Sequence, residues 1–269
     1  MLTLKIAIQT ASLRQPLPRA LQTAAQLGAS AVELDARNEL RLGEFSRTAI
    51  RHLRKQLDDL NLKVAALSFP TRRGYDVADD LDRRVAATKD AMRLAYQLGA
   101  SVVVNQVGRV PGEAALEDDA DADERRRWQS LVEVLTDLGS FAQREGARLA
   151  AETGTESGAD LARLLAAVPG GLIAVTLDPG NLIVNGFSPA EAIAALGADM
   201  AHVHVTDAVL DRARGRGLTV ALGRGTADFP ALLGALEEHN YRGYLAIQRD
   251  QSDDPVFEVG QAVQYLKNV

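Results

Sequence analysis

Residues 148–153 (RLAAET), 172–178 (LIAVTLD) and 200–207 (MAHVHVTD) decide how the chain is read. Each is a short run rich in Val, Leu, Ile or Ala, long enough for a buried strand and too short for an ordinary helix. Each also carries, at or near its end, a side chain that binds cations: Glu152, Asp178 and His204. Five more runs of the same length lie outside these three: LKIAIQ at 4–9, AVELDA at 31–36, KVAALS at 63–68, SVVVNQ at 101–106 and GYLAIQ at 243–248.

Amphipathic stretches separate the runs. Pro16 opens one, with Ala20, Leu21, Ala24 and Leu27 on one face and Gly28 as its stop. Ser46 begins a second, Leu81 to Leu98 form a third that ends at Gly99, and Ala122 to Arg144 form a fourth that ends near Gly146. Shorter helices are expected over 158–168, 188–196, 228–239 and 256–267. The words LGAS at 27–30 and again at 98–101 mark the same event, a helix stop running into a strand. Eight strands, each followed by a helix, predict an α/β fold closed as a (β/α)8 TIM barrel, with residues 1–269 in a single domain. The rival, a doubly wound open sheet with a dinucleotide site, would want Gly-x-Gly-x-x-Gly after the first strand, and that motif is absent. The segments 107–127 and 208–224 read as loops, the first a surface loop or lid whose acidic run is a solvated helix start.

Composition narrows the function. The net charge of −6 disfavours a phosphate-backbone partner, so no nucleic acid is expected. The absence of cysteine removes disulfides and thiolate metal sites. No apolar run approaches the roughly 20 residues of a spanning helix, so no membrane partner is expected, and the N-terminus reads as a strand with no signal peptide. The expected location is cytoplasmic.

In a (β/α)8 barrel the loops after the strands form the active face. The polar residues ending the strands are Gln9, Glu33 and Asp35, Ser68, Asn105 and Gln106, Glu152, Asp178, His204 and Gln248. Carboxylates at the end of a buried strand are costly unless paired or bound to a cation. Glu152, Asp178 and His204, from neighbouring strands, suit one divalent metal ion: Mn, Mg, Co or Zn. The residue-level alternatives are a satisfied core histidine at His202 or His204 and a turn-capping role for Asp178 before Pro179-Gly180. His52 and His239 read as surface residues.

At these residues the chain resembles the xylose-isomerase-like barrel superfamily of sugar and sugar-phosphate isomerases and epimerases. LAAETG resembles the strand-5 motif, TLDPGN the strand-6 motif and HVHVTD the strand-7 motif, which implies metal ligation by Glu152, Asp178 and His204. LGRGTADFPALLGALEEHNYRGYLAI at 222–247 resembles the run into strand 8. There the family's epimerases carry a metal-binding, proton-moving Glu, and this chain has Gln248. A His usual three residues after the strand-6 Asp is Asn181 here. The resemblance implies an isomerase, an epimerase or a related keto-sugar lyase acting through an enediolate, with Glu152 as ligand and catalytic base and Gln248 as an altered fourth ligand. It implies a small-molecule sugar or sugar phosphate as partner, and a homo-oligomer. Gln248 neither accepts nor gives a proton near neutral pH, so two-base epimerisation is disfavoured; one-base isomerisation, β-elimination or hydration fits better. The alternative is a carbohydrate-binding barrel with little or no turnover. Substrate contacts are expected from Glu33, Asn105, Asn181, His202, Asp207, Arg214 and Arg224, the arginines serving a phosphate or carboxylate; Arg109 is a further candidate. An interior polar layer is the alternative for Glu33.

Overall fold

The computed structural model describes residues 4–113, 117, 121–211 and 216–269. Strands β1 (Lys5–Gln9), β2 (Ala31–Asp35), β3 (Lys63–Ser68), β4 (Val102–Asn105), β5 (Arg148–Glu152), β6 (Ala174–Leu177) and β7 (Met200–Val205) pair in parallel. Two further strands, β8 (Asp207–Asp211) and β9 (Arg216–Val220), form a separate antiparallel pair, and β10 (Tyr244–Ile247) closes the barrel between β7 and β1. All eight apolar runs therefore become barrel strands.

The helices are α1 (Leu17–Gln26), α2 (Arg47–Asp59), α3 (Leu81–Leu98), α4 (Ala122–Glu145), α5 (Gly158–Ala167), α6 (Pro179–Val184), α7 (Pro189–Leu196), α8 (Phe229–Glu238) and α9 (Pro255–Asn268). Their starts follow from local chemistry. Ser46, Asp121, Ser157, Ser188, Asp228 and Asp254 each accept a hydrogen bond from a first-turn backbone N–H that the helix itself cannot satisfy. At the other end, Gly99 and Gly146 take left-handed backbone angles (φ 81° and 86°) that stop α3 and α4.

One expectation is corrected, and one helix is added. The segment 208–224 is not simply a loop. Its flanks pair as the β8–β9 hairpin, because Val209 and Leu218, and Ala208 and Thr219, stand opposite one another in register. Also, α6 follows β6 directly; six residues are too few for a helical period to show in sequence, and Asp178 caps it by accepting from Asn181 N. In the segment 107–127, residues 114–116 and 118–120 lie outside the described residues, and from Ala122 onward the chain is already α4.

Alternation along the strands sorts side chains into two cores. Ile6, Ile8, Val32, Leu34, Leu67, Val103, Leu149, Val175, Leu177, Val203, Leu245 and Ile247 face the helices and join the large outer core. Ala7, Ala31, Ala65 and Ala246 form one small inner cluster, and Ala66, Val102, Val104, Ala150 and Ala174 another. Small side chains thus fill the narrow interior. The same inward alternation places Gln9, Glu33, Glu152, Thr176, His202 and His204 nearer the strand ends, so the interior changes from apolar to polar within one strand length.

Candidate active site

Parallel pairing brings β5, β6 and β7 side by side, and their ends bring Glu152, Asp178 and His204 together. His204 Nδ1 lies 3.1 Å from Glu152 Oε1 and 3.5 Å from Asp178 Oδ2. One ligand atom from each of the three falls within 4.8 Å of the others, a spacing that one divalent ion could bridge. Asp178 is held in place on its other oxygen: Oδ1 accepts from Thr206 Oγ1 at 2.5 Å and from Asn181 N at 2.7 Å. Thr206 in turn accepts from Gly180 N at 2.8 Å, and a side chain at Gly180 would run into Thr206.

The opposite nitrogen of His204 faces across the barrel. Its Nε2 is 3.0 Å from Glu33 Oε2, and the same oxygen is 2.7 Å from His202 Nε2. Glu33 is fully buried, and Gln9 Nε2 donates to its Oε1 at 3.0 Å. Ser12 then fixes Gln9 by donating to its Oε1 at 2.9 Å. Without an ion, Nδ1–H can donate to Glu152 and Nε2–H to Glu33; a carboxylate that keeps accepting from Nε2–H sets the tautomer that leaves the Nδ1 lone pair for a cation placed between it, Glu152 and Asp178. Glu33 therefore sits in an interior polar layer behind His204, and His202 shares it, the two rings meeting edge to face at 5.3 Å.

Electrostatics at this point are lopsided. Burial pushes the Glu152 carboxyl above the usual carboxylate range, Asp178 and Glu33 add to the push, and His204 pulls part of the way back. Burial alone would discharge His204, yet Glu33, Asp178 and Glu152 outweigh it and hold the ring's pKa well above the usual value. Burial likewise opposes charge on Glu33, and His204 and His202 reverse that, holding it well below its usual value. His202 is pulled down by its burial. Three carboxylates around one ring leave an excess of negative charge in a buried place, where each unpaired ion costs several kcal/mol. A divalent cation on Glu152, Asp178 and His204 would offset that excess, so the donor set fits one.

The other sequence-chosen residues separate. Gln248 follows β10; its Nε2 donates to Asp250 Oδ1 at 3.2 Å, and its Oε1 is buried with no hydrogen-bond partner. That orphaned oxygen is an acceptor awaiting a donor or cation, but no described contact joins it to Glu152, Asp178 or His204. Asn181 links two loops, Nδ2 donating to Thr153 O at 3.1 Å and Oδ1 accepting from Asn185. It occupies the space that a side chain at Gly154 (φ 140°) would need. Asn105 follows the inward Val104 and turns away from the interior, bonding Thr71 and Tyr75. Asp207 is buried and accepts from four backbone N–H groups, those of Ala208, Gly223, Gly225 and Ala227, so it clamps the hairpin to the loop after it. Arg224 lines an open groove along α9 with Leu222, Phe257 and Tyr265, and no inward barrel residue lines that groove. Arg214 lies outside the described residues. Arg109 pairs with Glu124 at 3.3 Å on the surface, and His52 and His239 are exposed.

Sequence reasoning passed over Thr206, Thr153 and Ser12. Thr153 Oγ1 accepts from Asp178 N at 2.9 Å. Nothing in a lone hydroxyl residue announces such a role; only the meeting of three loops assigns it.

With the barrel and this cluster in view, comparison with known proteins is direct. Residues 21–269 match the model of the xylose isomerase-like TIM barrel family. The chain belongs to that family. It is 24% identical over 246 residues to an inosose dehydratase of Clostridium botulinum (strain Alaska E43 / Type E3), covering 81% of this chain and 80% of the relative. An inosose dehydratase of Bacillus licheniformis is 26% identical over 236 residues, 79% of this chain and 76% of the relative. Among solved structures, a xylose isomerase domain protein from Planctomyces limnophilus superposes with a TM-score of 0.84 at 25% identity, over 98% of this chain and 96% of that one. Both of these sequence relatives are inosose dehydratases, and the fold is shared with a 3-keto-D-glucoside 4-epimerase from E. coli, at 17% identity and a TM-score of 0.77 over 99% of this chain and 100% of that one. Among the described residues no helix is long and apolar enough to cross a membrane.

Proposed function

We propose that the barrel mouth is the active site of a divalent-metal-dependent enzyme acting on a keto-sugar or keto-polyol, and that its reaction is the elimination of water. The observation that carries this reading is the proton inventory. Glu152 is the one carboxylate of the Glu152–Asp178–His204 cluster with an oxygen to spare: Oε1 faces His204, and Oε2 makes no hydrogen bond among the described residues. Asp178 is occupied on Oδ1 by Thr206 and Asn181, and Gln248 is no acid or base. Dehydratase relatives matching about four-fifths of the chain point the same way.

Glu152, Asp178 and His204 would hold the ion, with the free amide oxygen of Gln248 as a fourth candidate. A divalent ion bound there supplies Lewis-acid polarisation of a carbonyl, which acidifies the adjacent C–H. Glu152 takes that proton; the C–H bond breaks and a C=C bond forms as the C–O bond to the β-hydroxyl breaks. Glu152 hands the same proton to the departing oxygen, so water leaves and the carboxylate is restored. One residue on one face completes the cycle, and no second acid at position 248 is needed. Glu33 and His202 keep His204 in the required tautomer. The second reading is one-base isomerisation of a ketose, which the same carboxylate would serve.

The test is incubation of the metal-loaded protein with an inosose, followed by mass spectrometry. Loss of one water is expected, with Glu152→Gln slower by at least about a hundredfold. Formation of an isomer without loss of water would replace elimination by isomerisation or epimerisation. Undiminished turnover by Glu152→Gln would remove Glu152 as the base. Binding without turnover would leave a carbohydrate-binding barrel.

A further inference from the structure

A second feature of the same face lies beyond β2 and β3. A groove of about 600 Å³ is lined by Arg37, Phe69, Thr71, Arg72, Arg73, Asp79, Asp80, Arg83, Arg84 and Ala87. Five guanidinium groups against two carboxylates give it a positive balance in a chain whose net charge is −6. Arg73 is paired with Asp79. Arg37 donates to Pro70 O at 2.7 Å, and Arg84 donates to the carbonyls of Asp79, Gly74 and Val77, so both are held rigidly without a carboxylate partner. Arg84 Nε is buried with no hydrogen-bond partner. The side chains of Arg72 and Arg83 form no hydrogen bond or ion pair with any described residue.

The wall of the groove is fixed in advance. Asn105 holds Thr71 through its backbone N–H at 3.1 Å and holds the Tyr75 hydroxyl at 2.9 Å. Tyr75 is itself buried, bonding Thr88 at 2.8 Å, and its N–H reaches Val107 O at 2.7 Å. Gly74 and Gly108 pack backbone against backbone, with no room for a side chain at either. Arg127 anchors Asp76 at 3.0 Å from α4. Four positive charges without carboxylate partners, Arg37 after β2, Arg72 on the braced loop after β3, and Arg83 and Arg84 in the first turn of α3, repel one another; a fork-shaped oxyanion is the ligand class that relieves this. The groove also stands at the barrel rim. Phe69 directly follows β3, and Arg37 comes two residues after β2.

We propose that this groove binds an oxyanion, phosphate or carboxylate, through Arg37, Arg72, Arg83 and Arg84. If the barrel mouth is read as a carbohydrate-enzyme site, the groove makes an anionic substrate the preferred class; the anion site itself does not depend on that reading.

The test uses inorganic phosphate, titrated calorimetrically into the full chain and into the Arg72→Ala/Arg83→Ala double variant. Both substituted side chains are exposed, and an unchanged melting temperature verifies the fold. Phosphate should bind the double variant at least about tenfold more weakly. Equal affinity would place the phosphate elsewhere, on a metal ion in the barrel for instance, and overturn the proposal, as would absence of binding to the unsubstituted protein. A second arm compares a phosphorylated ketose with its unphosphorylated counterpart in Glu152→Gln. A preference for the phosphorylated form that disappears when Arg72 and Arg83 are also replaced makes the anion part of the substrate. Equal binding of the two ketoses, alongside phosphate binding, makes it a separate ligand of the same groove. Phosphate binding without any inosose turnover would uphold the groove and count against the dehydratase reading alone.

Discussion

On one side of the barrel mouth, at the ends of β5, β6 and β7, Glu152 and Asp178 crowd around a ring nitrogen with Glu33 behind it. On the other side, beyond β2 and β3, Arg37, Arg72, Arg83 and Arg84 gather without carboxylate partners. The first side has too much negative charge for a buried place and suits a cation. The second has too much positive charge and suits an anion. Under the two proposals together, a substrate would turn its carbonyl toward an ion held by Glu152, Asp178 and His204 and its anionic group toward the arginines. The two sides also differ in how they are held. The acidic side rests on strand ends in register, the basic side on the loops after β2 and β3 and the first turn of α3, the second of those loops being pinned by Asn105 and by a Gly74–Gly108 contact.

The largest expected effect on this contrast comes from Glu156, in the loop after β5. Burial pushes its carboxyl up to about 7, and Asp160 and Glu152 add to the shift. Its Oε2 accepts from Thr155 at 2.5 Å while Oε1 has no partner. A carboxyl whose folded pKa is raised costs nothing while both states are protonated. Stability then falls as pH rises from about 4.5 to about 7, and stays lower above that. The total is on the order of 3 kcal/mol. Glu156→Gln should remove this fall, so that urea denaturation at pH 8 finds the variant more stable than the parent and at pH 4 finds the two alike. A parallel pH dependence in both proteins would show that Glu156 is not the source.

Next is Glu33→Gln. The amide no longer offers a charged acceptor to His204 and His202, so the tautomer and orientation of His204 loosen. Affinity for Mn²⁺ should drop by about 10–100-fold, while phosphate binding at the groove on the other side stays as it was. Loss of both together would mean that the two sides do not act independently. The smallest effect is expected from Gln248→Glu. A carboxylate replaces an amide whose oxygen is unpartnered, and Mn²⁺ should bind about tenfold more tightly. Asp250, which now accepts from Gln248 Nε2, would lose its donor and oppose the gain. Unchanged or weaker metal binding would put position 248 outside the ligand set.

Much of the barrel was legible because strand length, helix period and stop residues are local. LGAS ended two helices and led into β2 and β4 as its wording implies. The β8–β9 hairpin was not legible, since 208–224 has Gly215 and Gly217 among scattered arginines and no clean alternation. Within the site, Glu152, Asp178 and His204 stood out because charged and imidazole groups are expensive at the ends of apolar strands. Asn105 and Asp207 looked equivalent on paper. A one-residue step along β4 turned Asn105 outward, and four backbone N–H groups claimed Asp207. The arginine groove was missed for a similar reason. Arg37 is far from Arg72, Arg83 and Arg84 in sequence and meets them only because β2 and β3 are neighbours.

By itself the sequence determined the alternation of eight strands with helices and the residue types that end each strand, because periodicity and desolvation act on a residue and its near neighbours. The tertiary structure decided which of those residues meet. Closure of the barrel set Glu33 against His202 and His204 from opposite sides of the ring of strands, left Gln248 with an unpartnered oxygen, and gathered uncompensated arginines at the far rim. Distances between side chains on different strands depend on register and closure, and neither is written in any single stretch of the chain.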